Sequence, residues 1–528
     1  MAHAREPVPD TVEIRSTPRV PVAAGDLDIE VDVDQRGTPR HRLVTIGDSL
    51  THGFQSGAIF NTDLSYPAII AHELGWSDHF RYPRYPGFGG IPLNLELLVR
   101  DIDERFGPKV SPWELPGALF HLRHHLAEAE HWWDSGPGGV LPPRGRINHN
   151  LGIYGWDVRD ALSRNADNAA AEDKTKAGFE LRPLIRNADR ISAARVLDSA
   201  RTAGGLPMTP LEAAAALSHE GTLEDPNGDG IETLIILLGA NNALGSVMSL
   251  ELHWSQDDFA DLHGKAAYNV WQPPHFAAEW AQVVAALRSV RARHVLFGTV
   301  PHVTIAPLAH GIGGKVRKGS RFFERYVRPW VRMDTFDEDE DKNLTADEAR
   351  AVDSAIDAFN DTIVASVAAA REEGLDWRIT EISAALDRLA SRRYLEDPEV
   401  DRPEWLTDYP LPRTLDMLDP VPDSHFFASD ENGRTSGGLF SLDGIHATTV
   451  AYGLMAQEFI RTMEDAGVVF YNRDGVTVRS SPVEVDFDRL LAQDTLVGRP
   501  PTCLTDTANW IGWIDQRADV VKRLWAGV

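Results

Sequence analysis

Two apolar runs constrain this chain most, because each stops abruptly at a glycine. Leu43–Ile46 ends at Gly47-Asp48-Ser49, and Leu234–Leu238 (LIILL) ends at Gly239. Neither run has the polar–apolar alternation of a strand with one wet face. LIILL is apolar throughout, which marks a strand buried on both faces, as in a parallel sheet covered by helices. A third run, His294–Val300 (HVLFGTV), and a fourth at Trp377–Ile382 read as further strands. Helical periodicity separates them. Ser65-Tyr66-Pro67 opens a helix that runs to Leu74 and stops at Gly75. Phe276–Val290 puts Trp280, Val283, Val284 and Leu287 on one face. Thr345-Ala-Asp-Glu348 is a capping box, ahead of a stripe of Val352, Ile356, Phe359, Ile363 and Val367 that ends at Gly374. Strands alternating with helices predict an α/β fold with a parallel sheet covered on both faces.

Composition removes several functional classes. Of 528 residues, 79 are Asp or Glu and 52 Lys or Arg, a net charge of −27. Such a field repels phosphate backbones, so no nucleic-acid partner is expected, nor docking on anionic lipid. One cysteine, Cys503, excludes an intramolecular disulfide framework. No run of 18 apolar residues is present, so no stable membrane insertion is expected. The first twenty residues lack the apolar stretch of a signal peptide, which predicts a cytoplasmic protein, or a secreted one whose leader has been removed. The sequence says nothing of oligomeric state.

The remaining segments read as an arm, insertions and an extension. Residues 1–40 form an N-terminal arm in which Leu27, Ile29, Val31 and Val33 alternate with acidic residues, which predicts an edge strand. Residues 41–465 form the main unit, with insertions near 81–148, 160–230 and 301–345. Residues 466–528 form a C-terminal extension with a docking stripe of Ile511, Ile514, Ala518, Val521 and Trp525. Ser111-Pro112 starts a helix with Leu115, Leu119, Leu122, Leu126 and Trp133 on one side; Thr209-Pro210-Leu-Glu212 caps another. Trp132, Trp133, Trp254 and Trp271 lie in the insertions and are expected in the core.

Four short motifs carry chemistry. They are Gly47-Asp48-Ser49-Leu50, Asn150-Leu-Gly152-Ile-Tyr-Gly155-Trp-Asp157, Gly239-Ala-Asn241-Asn242 and Asp443-Gly-Ile-His446. A serine at a strand-to-helix turn lies outside the carboxyl end of a sheet, where ligands bind in open α/β folds. With these motifs in this order, over about 400 of the 528 residues, the sequence resembles the SGNH or GDSL family of esterases and lipases.

That resemblance implies a fold and a chemistry. The fold would be a three-layer α/β/α sandwich of flavodoxin-like type around a mainly parallel sheet, with large helical insertions. The activity would be a serine hydrolase acting on small-molecule or lipid esters without a cofactor. A serine hydroxyl needs a base, and His446 is the candidate because its neutral imidazole accepts a proton and later returns it. His52 and His425 compete for that role, but neither has an aspartate three residues upstream. In the family pattern Asp443 orients His446, and the oxyanion hole is formed by the backbone N–H of Ser49, that of Gly155 and the Asn241 amide. Gly152 fits the glycine role as well, and the residues leave that choice open. Asp48 and Asn150 are expected to hold turns. The chain departs from the pattern at Asn242, where the family usually has aspartate. Because Ser49 and His446 must meet, the whole span between them belongs to one catalytic unit. Three other readings stay open: a carbohydrate deacetylase, an acyltransferase, or an inactive binding protein that kept the fold.

Two patterns resemble metal sites. His121 and His125 are an i,i+4 pair, here read as the polar face of a helix. Asp337, Asp339, Asp341 and Glu348 have the spacing of a calcium loop, but Lys342 stands where that loop needs glycine. The expected metal content is therefore none. Asp225, Asn227 and Asp229 begin another such loop, which fails at Ile236.

Overall fold

Each glycine-terminated run forms a strand, and the strands lie side by side. The structure is a computed structural model that describes residues 5–107, 113–170, 187–220, 230–317, 320–331, 336–338, 341–390, 403–502 and 512. Four strands make one fully parallel sheet: β1 (His41–Gly47), β2 (Ile231–Leu237), β3 (Ala292–Gly298) and β4 (Trp377–Thr380), in that spatial order. Thr45 sits opposite Ile235, Ile235 opposite Leu296, and Leu296 opposite Arg378. β1 and β2 are buried along their whole length, with Arg42 paired to Glu232 where the apolar runs begin. The fourth strand stops at Thr380; Ile382, expected in it, opens a helix instead.

The helices that matter to the site are numbered in chain order. They are α1 (Ser49–His52), α2 (Tyr66–Glu73), α3 (Leu115–Glu130), α4 (Val158–Ser163), α5 (Pro210–Ser218), α6 (Asn241–Ser249), α7 (Pro273–Leu287), α8 (Ala346–Glu372), α9 (Ile382–Leu389) and α10 (Thr449–Asp465). The expected capping boxes at Thr209 and Thr345 are both formed, with Glu212 and Glu348 closing them.

Helices cover both faces of the sheet. Trp280 of α7 packs edge-on against Phe297 of β3. Phe459 of α10 fills the space beside Gly298, the next residue along the strand. Successive strand residues point to opposite faces, so α7 and α10 lie on opposite sides. Phe276 of α7 stacks on Phe359 of α8, and Tyr66 of α2 stacks on Phe459. The architecture is therefore mixed α/β around a four-stranded parallel sheet. One continuous core runs from Val12 in the arm to Val497 in the C-terminal extension. The insertion after residue 81 builds a smaller core around Leu98, Leu122 and Trp133, which borders Phe54, Tyr154 and Leu442. Trp133, Trp254 and Trp271 are buried in these cores.

The N-terminal arm departs from the expected strand. Leu27 and Asp28 take positive φ values of 55° and 56°, forming a turn closed by the Leu27 N–H on the Ala24 carbonyl. Beyond it, Ile29, Val31 and Val33 are half-buried and the acidic residues between them exposed, so the alternation is present. No ladder accompanies it, and the Ile29 carbonyl accepts instead from the Arg371 guanidinium. Alternation recorded which side chains meet the protein; it could not record what the backbone pairs with. The Ile511–Trp525 stripe and Cys503 lie outside the described residues.

Candidate active site

Ser49 stands where β1 ends. Gly47 precedes it because nothing larger fits: a Cβ there would lie 1.9 Å from Thr51 Oγ1 and 2.7 Å from the Leu237 carbonyl. Asp48 caps α1, its Oδ1 accepting from the Leu50 N–H at 3.0 Å. Burial pushes the Asp48 carboxyl up to about 6, partly offset by that N–H. The tight turn aims Ser49 out of the carboxyl end of the sheet.

His446 reaches Ser49 from the far end of the chain. Its Nε2 lies 2.9 Å from Ser49 Oγ, across 397 residues of sequence. Its Nδ1 lies 2.9 Å from Asp443 Oδ2. The Asp443 carboxylate is held on every side. Oδ1 accepts from the backbone N–H of Ile445 and His446, each at 2.9 Å, and from Ser441 Oγ at 3.2 Å. Oδ2 also accepts from the Gly57 N–H at 3.0 Å. Burial alone would raise the Asp443 carboxyl, but His446 and these N–H donors hold it below the usual carboxylate range. Ser49 is 5% exposed, His446 3% and Asp443 2%, so a substrate reaches them only through a cleft.

The second motif is brought to Ser49 by pairing with β1. The Leu151 N–H donates to the Thr45 carbonyl at 2.8 Å and the Ile153 N–H to the Gly47 carbonyl at 3.1 Å. This segment thus runs along the open edge of β1 and ends beside the Ser49 turn. The structure separates the two candidate glycines. The Gly152 N–H is spent on Asn150 Oδ1 at 3.0 Å. Gly155 has a φ of 74°, which favours glycine, and its N–H has no partner among the described residues. The Ser49 N–H is likewise unspent among the described residues. Asn241 opens α6, and its Nδ2 donates to the Trp156 carbonyl at 2.9 Å, tying the third motif to the second. Asn242 accepts from the Val158 N–H at 3.3 Å and helps anchor α4. Below them Lys265 Nζ bridges Asp157 at 2.6 Å and Asp160 at 2.8 Å in a buried ion cluster.

The competing histidines are occupied elsewhere. His52 Nε2 lies 2.7 Å from the Tyr85 hydroxyl, its Nδ1 accepts from the Tyr154 N–H, and burial pushes its pKa down to about 3. His425 lies beside Asp423, with Nδ1 and Oδ1 2.9 Å apart.

Three contributors escaped sequence reasoning. Phe54 packs its ring 4.4 Å, centre to centre, from the His446 imidazole. Ser56 takes a positive φ of 50° and trades hydrogen bonds with the Ser441–Leu442 segment: its N–H donates to Ser441 Oγ, and its hydroxyl accepts from the Leu442 N–H. Gly57 donates to Asp443 as noted. The Ser56-Gly57 dipeptide, between the two-residue strands Phe54–Gln55 and Ala58–Ile59, is a turn signal that marks this hairpin; nothing local shows that the turn clasps residue 443.

A cleft opens beside Ser49 and His446 at the carboxyl ends of the strands. Its space is continuous with solvent. Leu50, Ala240 and Leu244 form one wall; Ile382, Ala385, Leu386 and Leu389 of α9 a second; Ala451, Leu454 and Met455 of α10 a third. None of the four tryptophans named above lines it.

Among the described residues no group of three or more His, Cys, Asp or Glu side chains is placed to hold a metal ion. His121 packs on Phe106 and His125 on Phe88. Asp341 accepts from the Asp337 N–H, Glu348 closes its capping box and pairs with Arg5, and Asp339 lies outside the described residues. The Asp225–Asp229 pattern does too. No described helix is long and apolar enough to cross a membrane. Comparison with protein-family models, curated proteins and solved structures finds no match for this chain.

Proposed function

We propose that this protein is a serine hydrolase of carboxylic esters, on a three-layer α/β/α fold of the SGNH type. The supporting observation is the relay of Ser49 Oγ, His446 and Asp443, with both links at 2.9 Å, at the carboxyl end of a central strand. Ser49 Oγ attacks the ester carbonyl carbon while its proton passes to His446 Nε2. Asp443 keeps the Nδ1–H tautomer in place and balances the imidazolium that forms. The carbonyl oxygen becomes an oxyanion, met by the N–H groups of Ser49 and Gly155 and by the Asn241 amide. His446 returns the proton to the departing alcohol oxygen, leaving an acyl group on Ser49. Water then repeats the sequence and releases the acid.

The test is covalent. A small fluorophosphonate should label the wild-type protein once, on the peptide containing Ser49, and leave Ser49→Ala unlabelled in mass spectrometry. Absence of label on the folded wild-type protein would reject the reading, and an inactive binding protein would then fit better.

A further inference from the structure

We infer that the cleft beside Ser49 receives the hydrocarbon chain of an aliphatic ester and excludes sugars. The inference rests on the esterase reading above and adds the substrate class. Its walls near the nucleophile are Leu244, Ala385, Leu386, Ala451, Leu454 and Met455, none of which offers a hydrogen bond through its side chain.

The polar side chains that do reach the cleft, apart from Ser49 and His446, are His302, Tyr409 and Glu458. His302 and the Tyr409 hydroxyl proton are spent on the protein, and Glu458 is engaged through Oε1. His302 uses both ring nitrogens, Nε2 on Asp357 at 3.0 Å and Nδ1 on Asp387 at 3.1 Å. The Tyr409 hydroxyl donates to Glu458 Oε1 at 2.6 Å, and Arg461 pairs with the same carboxylate. A sugar ring entering here would leave its hydration shell and find, beyond Ser49 and His446, little more than one carboxylate oxygen of Glu458 to replace it. A hydrocarbon chain loses nothing polar and gains by leaving water, up to about fourfold in affinity per buried methylene.

The chain can belong to the acid or to the alcohol, so the test has two arms. One is a series of p-nitrophenyl esters from acetate to palmitate; the other is a series of alkyl acetates. In one arm, kcat/KM should rise at least about tenfold between the two-carbon and eight-carbon members, and that arm names the part of the ester the cleft holds. Acetylated xylose and acetylated chito-oligosaccharides should be hydrolysed more slowly than the eight-carbon ester. Ala385→Phe and Ala451→Phe project a ring into the cleft from different helices. Each should lower the eight-carbon to two-carbon ratio of kcat/KM at least about tenfold, while thermal melting reports whether each has folded.

Wild-type protein that prefers the shortest ester in both arms, or acetylated sugars to all of them, overturns the inference. If a small fluorophosphonate still labels Ser49 in that case, the esterase reading stands and only the substrate class falls. If no label forms and no ester is cleaved, both fall together.

Discussion

At the scale of single residues, the three side chains proposed as nucleophile, base and orienting acid could be singled out in the sequence, because each sits in a short motif with its own local geometry. Ser49 follows a glycine that the end of β1 demands, and Asp443 stands three residues before His446. What local pattern could not supply was the support for Asp443 from Gly57, which comes from 386 residues away. Ser49→Ala and His446→Ala should each remove ester hydrolysis, and the double variant should be no worse than either, since the two side chains act as one unit. Multiplying losses in the double variant, read by initial rates, would separate them. Asp443→Asn should lower kcat by about 10⁴, because it presents the wrong hydrogen-bond partner to Nδ1. It should also change the acid stability. A carboxyl held below its ordinary value contributes stability that is present above about pH 4 and lost as pH falls through the lower, folded value. Denaturant midpoints of wild type and Asp443→Asn should therefore converge as pH drops below about 4; a constant gap would count against an ionised Asp443.

At the scale of elements, strands and helices were predicted wherever periodicity was long or a cap was explicit, as in α8 with Thr345 and Glu348. The connections between elements were not legible, since they depend on side chains whose partners lie on other segments. His302 is the clearest instance. It stands just beyond β3 and joins α8, through Asp357, to α9, through Asp387. Burial would lower its pKa, but Asp387, Asp353 and Asp357 outweigh that and raise it to about 10. A histidine raised in this way contributes stability that is complete below its unfolded value, about 6.5, and lost as pH rises toward 10. His302→Asn keeps a similar size and loses the charge. The gap in melting temperature between wild type and this variant should be widest near pH 6 and narrow steadily toward pH 10. A gap independent of pH would mean that His302 is neutral in the folded protein.

At the scale of the whole molecule, the sheet has two edges, and both are occupied by irregular chain. On β1 lies the second motif. On β4, the Ile379 N–H donates to the Gly25 carbonyl at 2.8 Å, and the Trp377 carbonyl takes the Arg371 guanidinium. The arm is fastened further by Arg19 on Glu381 at 3.0 Å and by Gln35 on the Ala466 carbonyl. Its alternation predicted an edge strand, but the arm is a strap across β4 and not a strand in the ladder. Removing residues 1–37 should uncover the outward groups of β4 and part of the core around Ile379. The truncated protein should form concentration-dependent oligomers in light scattering where the full chain does not; identical scattering from both would show that the strap is dispensable.

The distance between Ser49 and His446 has one more consequence, for the life of the chain before it is complete. During synthesis Ser49 emerges before its proposed base, His446, which follows 397 residues later. At roughly 5–20 residues per second, that is an interval of tens of seconds in which the serine has no partner to take its proton. An arrested or clipped product that ends before residue 446 would carry Ser49 without the base proposed to activate it. On the proposed mechanism, hydrolysis would report that translation has passed the fourth motif and that Ser49 and His446 have found each other.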